Sequence, residues 1–393
     1  MKNVIKNMSL LAAAFIVIFL TGEIILNVAD FFSRRDIRKT DSPKGQLNRR
    51  GLMRDSRMNR SHIPSLKFIY EAPDKKEFKV PVQYSSKGLN DEEYAYPKPE
   101  GTGRIIILGD SFTEAIQVER GSNFCEILEN ELNDTRAPEK TEVINMGVSG
   151  YSPILEYLYL KNEGLKYDPD MVILCFFMND VYEDSVYKGM AEFDENGLPI
   201  RVHWKGKDKI SALTGWKRTE RKACNAVKRV LNKSKFYVFL KEKIYIALKK
   251  SGLKEKKSGR KQFFIIEGSE DAEERRLWQD TFRYVLAIRN LAESHGAKFL
   301  FVAIPMEAQL SDDPDDAAFN AYFTGTPDSG RTNAAIKEFC VKNNIEYINL
   351  FDYFAGRGAG DLYFKHDGHF RPAGHRLTAE IIKERIGRGI NHG

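Results

Sequence analysis

Residues 104–113 read Arg-Ile-Ile-Ile-Leu-Gly-Asp-Ser-Phe-Thr, an apolar run that stops at a glycine and continues with polar residues. A continuous apolar run of this kind is typical of a strand that is buried on both faces. From Phe112 to Leu132 the apolar residues recur at helical spacing. The stretch therefore predicts a buried strand that runs directly into a helix.

The remainder of the chain repeats this pattern. Further apolar runs lie at residues 143–146, 171–177, 299–304 and 347–350, and helical patterns lie at residues 154–165, 273–294, 332–343 and 372–386. Apolar strands that alternate with helices indicate a parallel sheet covered on both faces. We expect an α/β protein with a doubly wound (flavodoxin-like) five-stranded parallel sheet, whose reactive groups lie at the carboxyl ends of the strands.

The amino end has a different character. Residues 10–20 read LLAAAFIVIFL, and the apolar run resumes to reach Ala29. About 20 apolar residues are enough to cross a bilayer as a helix. Lys2 and Lys6 precede this run and no Ala-x-Ala-like site closes it, which favours an uncleaved signal anchor over a removed signal peptide. Residues 1–39 are thus predicted to be a single transmembrane anchor and juxtamembrane segment, with the catalytic domain on the extracytoplasmic side.

Two further regions complete the predicted organisation. Residues 40–102 are interpreted as a linker and accessory strands, such as residues 78–84, with a turn at Gly88. The α/β domain spans residues 103–388 and is interrupted by a basic helical insertion at about residues 183–269. That insertion separates the third and fourth strands by far more residues than a crossover needs.

Charge is concentrated in this insertion. The whole chain of 393 residues carries 61 Lys and Arg against 55 Asp and Glu, for a net charge of +6. Residues 205–261 hold 20 Lys and Arg against four Asp and Glu, a local charge of +16 that leaves −10 for the remainder. Residues 223–248 also show apolar residues near helical spacing, which predicts a basic amphipathic helix pair. Either this segment meets an anionic surface, or it is a solvated lid that packs on the main domain.

Three predicted strands end in residues suited to ester chemistry. Ser111 follows the first strand, where its hydroxyl would lie beside unpaired backbone N–H groups. Gly147 at the end of the second strand allows close backbone approach to a ligand, and the Asn179 amide after the third strand can donate to a developing negative charge. Each also fits a plain structural role, a helix cap for Ser111 and Asn179 and a turn for Gly147.

The carboxyl-terminal region supplies a candidate base. Residues 365–372 read Lys-His-Asp-Gly-His-Phe-Arg-Pro and open the last helix. An imidazole at His369 is a natural general base for a serine hydroxyl, and the Asp367 carboxylate can orient it. His366 is interpreted as a loop residue and His375 as a helix residue outside the site. A metal site formed by His366, Asp367 and His369 is the alternative.

Taken together, these segments resemble the SGNH (GDSL-like) hydrolase family, in which Ser, Gly, Asn and His on four separated blocks form the active site. The resemblance covers about residues 103–388 without the insertion. It implies that Ser111 is the nucleophile and that Ser111, Gly147 and Asn179 form the oxyanion hole. It further implies that His369 is the base oriented by Asp367, with no metal or cofactor.

The sequence departs from the family pattern at three points. Phe112 replaces the leucine of the GDSL block, and Phe177 replaces a small residue two positions before Asn179. The spacing from Asp367 to His369 is one residue shorter than the commoner Asp-x-x-His. The resemblance therefore defines His369 as the base more clearly than it defines Asp367 as the carboxylate partner.

The resulting functional expectation is a serine esterase that acts on O-acylated or O-acetylated cell-envelope glycan or a similar ester. An O-acyltransferase that uses the same site is one alternative. The other is a non-catalytic protein that docks an acidic polymer or a membrane through residues 205–261. Nucleic acid is not an expected partner because no nucleic-acid motif is present.

Overall fold

The computed structural model describes residue 21 and residues 50–72, 76–133, 140–204, 272–310 and 329–390. Residues 42–204 and 258–393 belong to one compact unit. The predicted membrane segment lies, apart from Thr21, outside the described residues. Within the described part of the chain, no helix combines the length and apolar character needed to cross a membrane.

A central sheet of five parallel strands organises this unit. In chain order the described strands are β1 (Leu52–Arg54), β2 (Arg60–His62), β3 (Lys67–Glu71), β4 (Lys79–Gln83), β5 (Thr102–Gly109), β6 (Lys140–Gly147), β7 (Met171–Phe177), β8 (Ala191–Phe193), β9 (Pro199–Val202), β10 (Lys298–Ile304) and β11 (Tyr347–Asn349). The central sheet has the order β11-β10-β7-β5-β6, and all its neighbours pair in parallel. The predicted flavodoxin-like five-stranded sheet is confirmed.

Helices cover both faces of the sheet. They are α1 (Ser111–Glu114), α2 (Phe124–Asn133), α3 (Pro153–Asn162), α4 (Asp180–Lys188), α5 (Ala272–Glu293), α6 (Glu307–Leu310), α7 (Ser329–Lys342), α8 (Phe351–Phe354), α9 (Ala359–Leu362) and α10 (Pro372–Ile390). Alternate strand residues face opposite sides. Ile106 and Leu108 therefore pack in a core with α3, α5 and α7, whereas Ile105 and Ile107 pack in a second core with α2 and α10.

The predicted helix over residues 112–132 is wrong in its continuity. The structure divides it into α1, a 3₁₀ turn at Arg120–Ser122 and α2. Ala115 ends α1 in the left-handed conformation, with φ of 56°. That conformation breaks the run of helical hydrogen bonds, so apolar spacing alone did not reveal the break.

The accessory strands form small antiparallel pairs. β1 pairs with β2, β3 pairs with β4 over a third apolar core that includes Tyr84 and Ile116, and β8 pairs with β9. The described part of the predicted insertion, residues 183–204, holds most of α4 and the β8–β9 hairpin. The predicted basic helix pair lies outside the described residues.

Candidate active site

Ser111 lies at the carboxyl edge of the sheet because a tight turn follows β5. A Cβ atom on Gly109 would lie 2.2 Å from Thr113 Oγ1, so only glycine lets α1 pack this closely on the strand. The Asp110 side chain caps α1 by accepting a hydrogen bond from the Phe112 N–H at 2.9 Å. Ser111 itself is 8% exposed. The hydroxyl is thus fixed at the sheet edge with little surface open to solvent.

The structure brings His369 and Asp367 to this serine. His369 Nε2 lies 2.7 Å from Ser111 Oγ, across 258 residues of sequence. On the other side of the ring, His369 Nδ1 lies 2.6 Å from Asp367 Oδ1. Three of the five residues predicted for the site therefore form one hydrogen-bonded chain.

The charge of Asp367 determines which atom donates in each of these two hydrogen bonds. Burial alone would raise the pKa of Asp367, but the hydrogen bond and charge of His369 and the charge of Arg50 together lower it. An ionised Asp367 accepts from Nδ1–H, so in the neutral ring Nε2 has no proton and accepts from the Ser111 hydroxyl. This is the arrangement in which imidazole can remove a proton from serine as it attacks.

Gly147, predicted as an oxyanion donor, lies at the end of β6. Its N–H donates to Asn145 Oδ1 at 2.9 Å, so that donor is already used. A Cβ atom on Gly147 would lie 2.2 Å from the Glu114 nitrogen. The absence of a Cβ atom at Gly147 therefore lets α1 approach the end of β6.

Asn179 follows β7 at the same edge, as predicted. It precedes α4 without a side-chain capping bond, and its Oδ1 has no hydrogen-bond partner within the described residues. Its side chain stabilises the ionised form of Asp110, although burial still raises the pKa of that carboxyl group. The Asn179 amide thus lies next to the Asp110–Ser111 turn.

The other two histidines of the last segment have separate environments. The His366 N–H donates to Glu77 Oε1 at 2.9 Å. His375 is buried and stacks on Phe124, and its burial lowers its pKa to about 3. Within the described residues, no group of three His, Cys, Asp or Glu side chains has an arrangement suited to a metal ion.

Two of the residues that differ from the family pattern, Phe112 and Phe177, lie in contact with each other. The Phe112 and Phe177 ring centroids are 4.5 Å apart, and Phe112 also lies 4.8 Å from the His369 ring. Phe112 is buried, whereas Phe177 is partly exposed. An aromatic surface therefore continues from the base towards solvent.

A second His–carboxylate pair, between His62 and Glu114, was missed by sequence reasoning. His62 Nε2 lies 2.9 Å from Glu114 Oε1, and both side chains are almost fully buried. Burial would raise the pKa of Glu114, but the charge and hydrogen bond of His62 and the hydrogen bond of Ser149 lower it to about 2. No spacing rule links residue 62 to residue 114, so only the three-dimensional fold reveals the pair.

Comparisons with known proteins give the family. The GDSL-like Lipase/Acylhydrolase family profile matches residues 107–377. A GDSL-like lipase from Bacteroides thetaiotaomicron is similar in structure, with 13% identity, a TM-score of 0.35 and coverage of 75% of this chain and 93% of that one. The esterase EstA from a Pseudoalteromonas species has 11% identity, a TM-score of 0.37 and coverage of 74% and 100%.

A third similar structure is an acetylxylan esterase from Geobacillus stearothermophilus, with 10% identity, a TM-score of 0.39 and coverage of 75% and 97%. No curated protein matches the sequence. The family match covers more than half of the chain and includes Ser111, Asp367 and His369. The chain therefore belongs to the GDSL-like lipase/acylhydrolase family and is a serine hydrolase that acts on esters.

Proposed function

We propose that Ser111 is the nucleophile of this esterase, His369 its general base and Asp367 the group that orients the base. The observation that carries this assignment is the chain of two hydrogen bonds, 2.7 Å from Ser111 Oγ to His369 Nε2 and 2.6 Å from His369 Nδ1 to Asp367 Oδ1. The short Asp-x-His spacing is compatible with this role because Asp367 and His369 lie on one loop, where Asp367 Oδ1 reaches His369 Nδ1.

The reaction follows from these positions. As Ser111 Oγ attacks the ester carbonyl, its proton moves to His369 Nε2 and the carbonyl oxygen becomes negative. Asp367 stabilises the resulting imidazolium. The tetrahedral intermediate collapses as His369 returns the proton to the leaving alcohol, which leaves an acyl group on Ser111. Water then attacks the acyl-enzyme by the same route.

The oxyanion needs donors that have no other partner. The backbone N–H of Ser111 has none among the described residues, and the Asn179 amide lies beside the same turn.

The assignment is tested by labelling with a serine-reactive phosphonate and by turnover of short acyl esters. Ser111→Ala should abolish both while the protein remains folded. Ser185→Ala on α4 is a matched control that should label and turn over like the wild type. Undiminished labelling of Ser111→Ala would overturn the proposal.

For the natural substrate, we propose an O-acylated or O-acetylated glycan of the cell envelope. The apolar segment of residues 10–29 supports an anchored enzyme with its catalytic domain outside the cytoplasm, where such glycans lie. A sugar acceptor that intercepts the acyl-enzyme would make the protein an O-acyltransferase. Turnover measured with and without a sugar acceptor distinguishes transfer from hydrolysis.

The basic segment of residues 205–261 is proposed to dock an anionic surface. Its local charge of +16 supports this role. Deletion of the segment should abolish binding to anionic vesicles or an acidic polysaccharide and leave hydrolysis of small esters intact. Loss of small-ester turnover would instead assign the segment to the cleft.

A further inference from the structure

The family match begins at residue 107, yet five side chains that precede it contact both halves of the site: His62, Glu77, Phe78, Tyr84 and Asn90. We propose that these five side chains, here called the clamp, are a positioning element that sets the hydrogen bond between Ser111 and His369. In this arrangement Glu77 holds the loop of the base, and His62 and Tyr84 hold the helix of the nucleophile. The inference rests on the catalytic roles proposed above for Ser111, Asp367 and His369.

Glu77 makes the contact on the side of the base. Its two carboxylate oxygens accept from consecutive backbone N–H groups, Oε1 from His366 at 2.9 Å and Oε2 from Asp367 at 3.0 Å. Hydrogen bonds to an ionised acceptor are stronger than neutral ones. This contact fixes the backbone of Asp367, whose side chain orients His369.

Apolar contacts reinforce this attachment. Phe78, next to Glu77, packs on Phe364 with ring centroids 5.1 Å apart. The Phe364 N–H in turn donates to the His369 carbonyl at 2.8 Å. Residues 77 and 78 therefore hold the loop of residues 364–369 at its first residue and at its middle.

Glu114 receives the contacts on the side of the nucleophile. It is the last residue of α1, the helix that begins at Ser111. The Tyr84 hydroxyl lies 2.8 Å from Glu114 Oε1, and His62 Nε2 lies 2.9 Å from the same oxygen. The Asn90 side-chain amide donates to the Glu114 carbonyl at 2.6 Å. The four-residue helix α1 thus carries Ser111 as its first residue and receives the clamp contacts at its last residue.

Contacts at both ring nitrogens of His62 make this attachment firm. Its Nδ1 lies 2.7 Å from the Gly88 carbonyl, which can only accept, so Nδ1 donates. Its Nε2 lies 2.9 Å from Glu114 Oε1. The ring thus bridges the Gly88 carbonyl and the Glu114 carboxylate and holds Glu114 in one place, because either bond is lost if the ring turns.

A displacement of the reacting groups by about 1 Å can cost roughly 100-fold in rate. Glu77→Ala should therefore lower kcat on a short acyl ester by roughly 10- to 100-fold, with KM within about 2-fold of the wild type. The rate of Ser111 phosphonylation should fall by the same factor. Glu77→Gln retains one acceptor oxygen, so its kcat should lie between that of Glu77→Ala and that of the wild type. Glu71→Ala, on the same hairpin, is the matched control and should keep wild-type kcat.

Tyr84→Phe tests the other side with a milder change, and roughly a 3- to 10-fold loss of kcat is expected. If both contacts set one Ser111–His369 distance, the double variant should lose less than the product of the two single losses. Urea unfolding shows whether each variant is folded under assay conditions.

Wild-type turnover that depends on Ser111 shows that the proposed chemistry holds, so the clamp variants then test the clamp alone. An unchanged kcat in folded Glu77→Ala would overturn the proposal. Losses in Glu77→Ala and Tyr84→Phe that multiply in the double variant would overturn it as well, because each contact would then act independently.

Discussion

The molecule contains two histidine–carboxylate pairs that differ in what faces the second ring nitrogen. His369 bonds Asp367 and turns its other nitrogen to a hydroxyl, which can give up a proton. His62 bonds Glu114 and turns its other nitrogen to a carbonyl oxygen, which cannot. The first ring therefore has a partner that can give it a proton, whereas the second ring has only acceptors around it. Similar local geometry thus suits proton transfer in one pair and rigidity in the other.

The largest contrast is expected from the same substitution at the two histidines. His369→Gln should lower kcat by roughly 10⁴-fold because the base is lost, with little change in stability. His62→Gln leaves a buried carboxylate without its imidazole partner and should lower the free energy of unfolding by about 3–5 kcal/mol. Steady-state kinetics and urea unfolding of both variants measure the contrast. A folded His62→Gln with a 10⁴-fold loss would break the comparison.

The carboxylates should separate in the same way. Asp367→Asn favours the wrong tautomer of His369 and should lower kcat by roughly 10²- to 10⁴-fold. Glu114→Gln should cost roughly 10-fold in kcat, because it loosens α1 without removing a reacting group. If the two variants lost kcat equally, Glu114 would have to act in the chemistry itself.

A third expected effect is an acid-dependent loss of stability that comes from Glu114. Its pKa is about 2 in the folded protein against a usual 4.5, so as pH falls below 4.5 the unfolded chain takes up the proton first. The pair should lose about 1.4 kcal/mol of stabilisation per pH unit below 4.5. Unfolding at pH 5.5 and 3.5 should show the wild type losing its advantage over Glu114→Gln. A constant difference between these pH values would contradict the charge state assigned to the pair.

A further pH effect concerns Asp184, a buried carboxylate that has no histidine partner among the described residues. It accepts from Ser152 Oγ and the Ile154 N–H. Although these bonds oppose the effect, burial raises its pKa to about 7 from a usual 3.8. Between these values the folded protein keeps a proton that the unfolded chain has lost, so stability falls as pH rises. The free energy of unfolding of Asp184→Asn, relative to that of the wild type, should therefore rise by about 3 kcal/mol between pH 5 and 8. No gain in chemical unfolding at pH 8 would mean that Asp184 ionises freely.

Much of the fold was predictable because its signals are local. The strand Met171–Phe177 was predicted at its observed bounds, since a buried parallel strand is a continuous apolar run. Ser111 was predicted because it follows the first buried strand, and His369 because it lies in the segment that opens the last helix and resembles a block of the SGNH family. These inferences require only short segments of sequence.

The remainder depends on contacts that no short segment contains. The left-handed Ala115 that ends α1 carries no glycine signal. The Gly147 N–H is used by Asn145, a side chain whose direction the strand pattern does not specify. Glu77 and His62 lie in the region interpreted as a linker and accessory strands. Their partners are 289 and 52 residues away in the sequence, so only the fold brings them together.

The burial of Glu114 has a consequence for the history of the family. A relative that lacks the segment equivalent to residues 50–91 has no histidine to pair with a buried carboxylate at this position. We expect such relatives to carry an uncharged residue in place of Glu114, and relatives with a histidine equivalent to His62 to keep the acid. The two positions should therefore have been gained and lost together, so the pair can serve as a marker of members that acquired the amino-terminal extension.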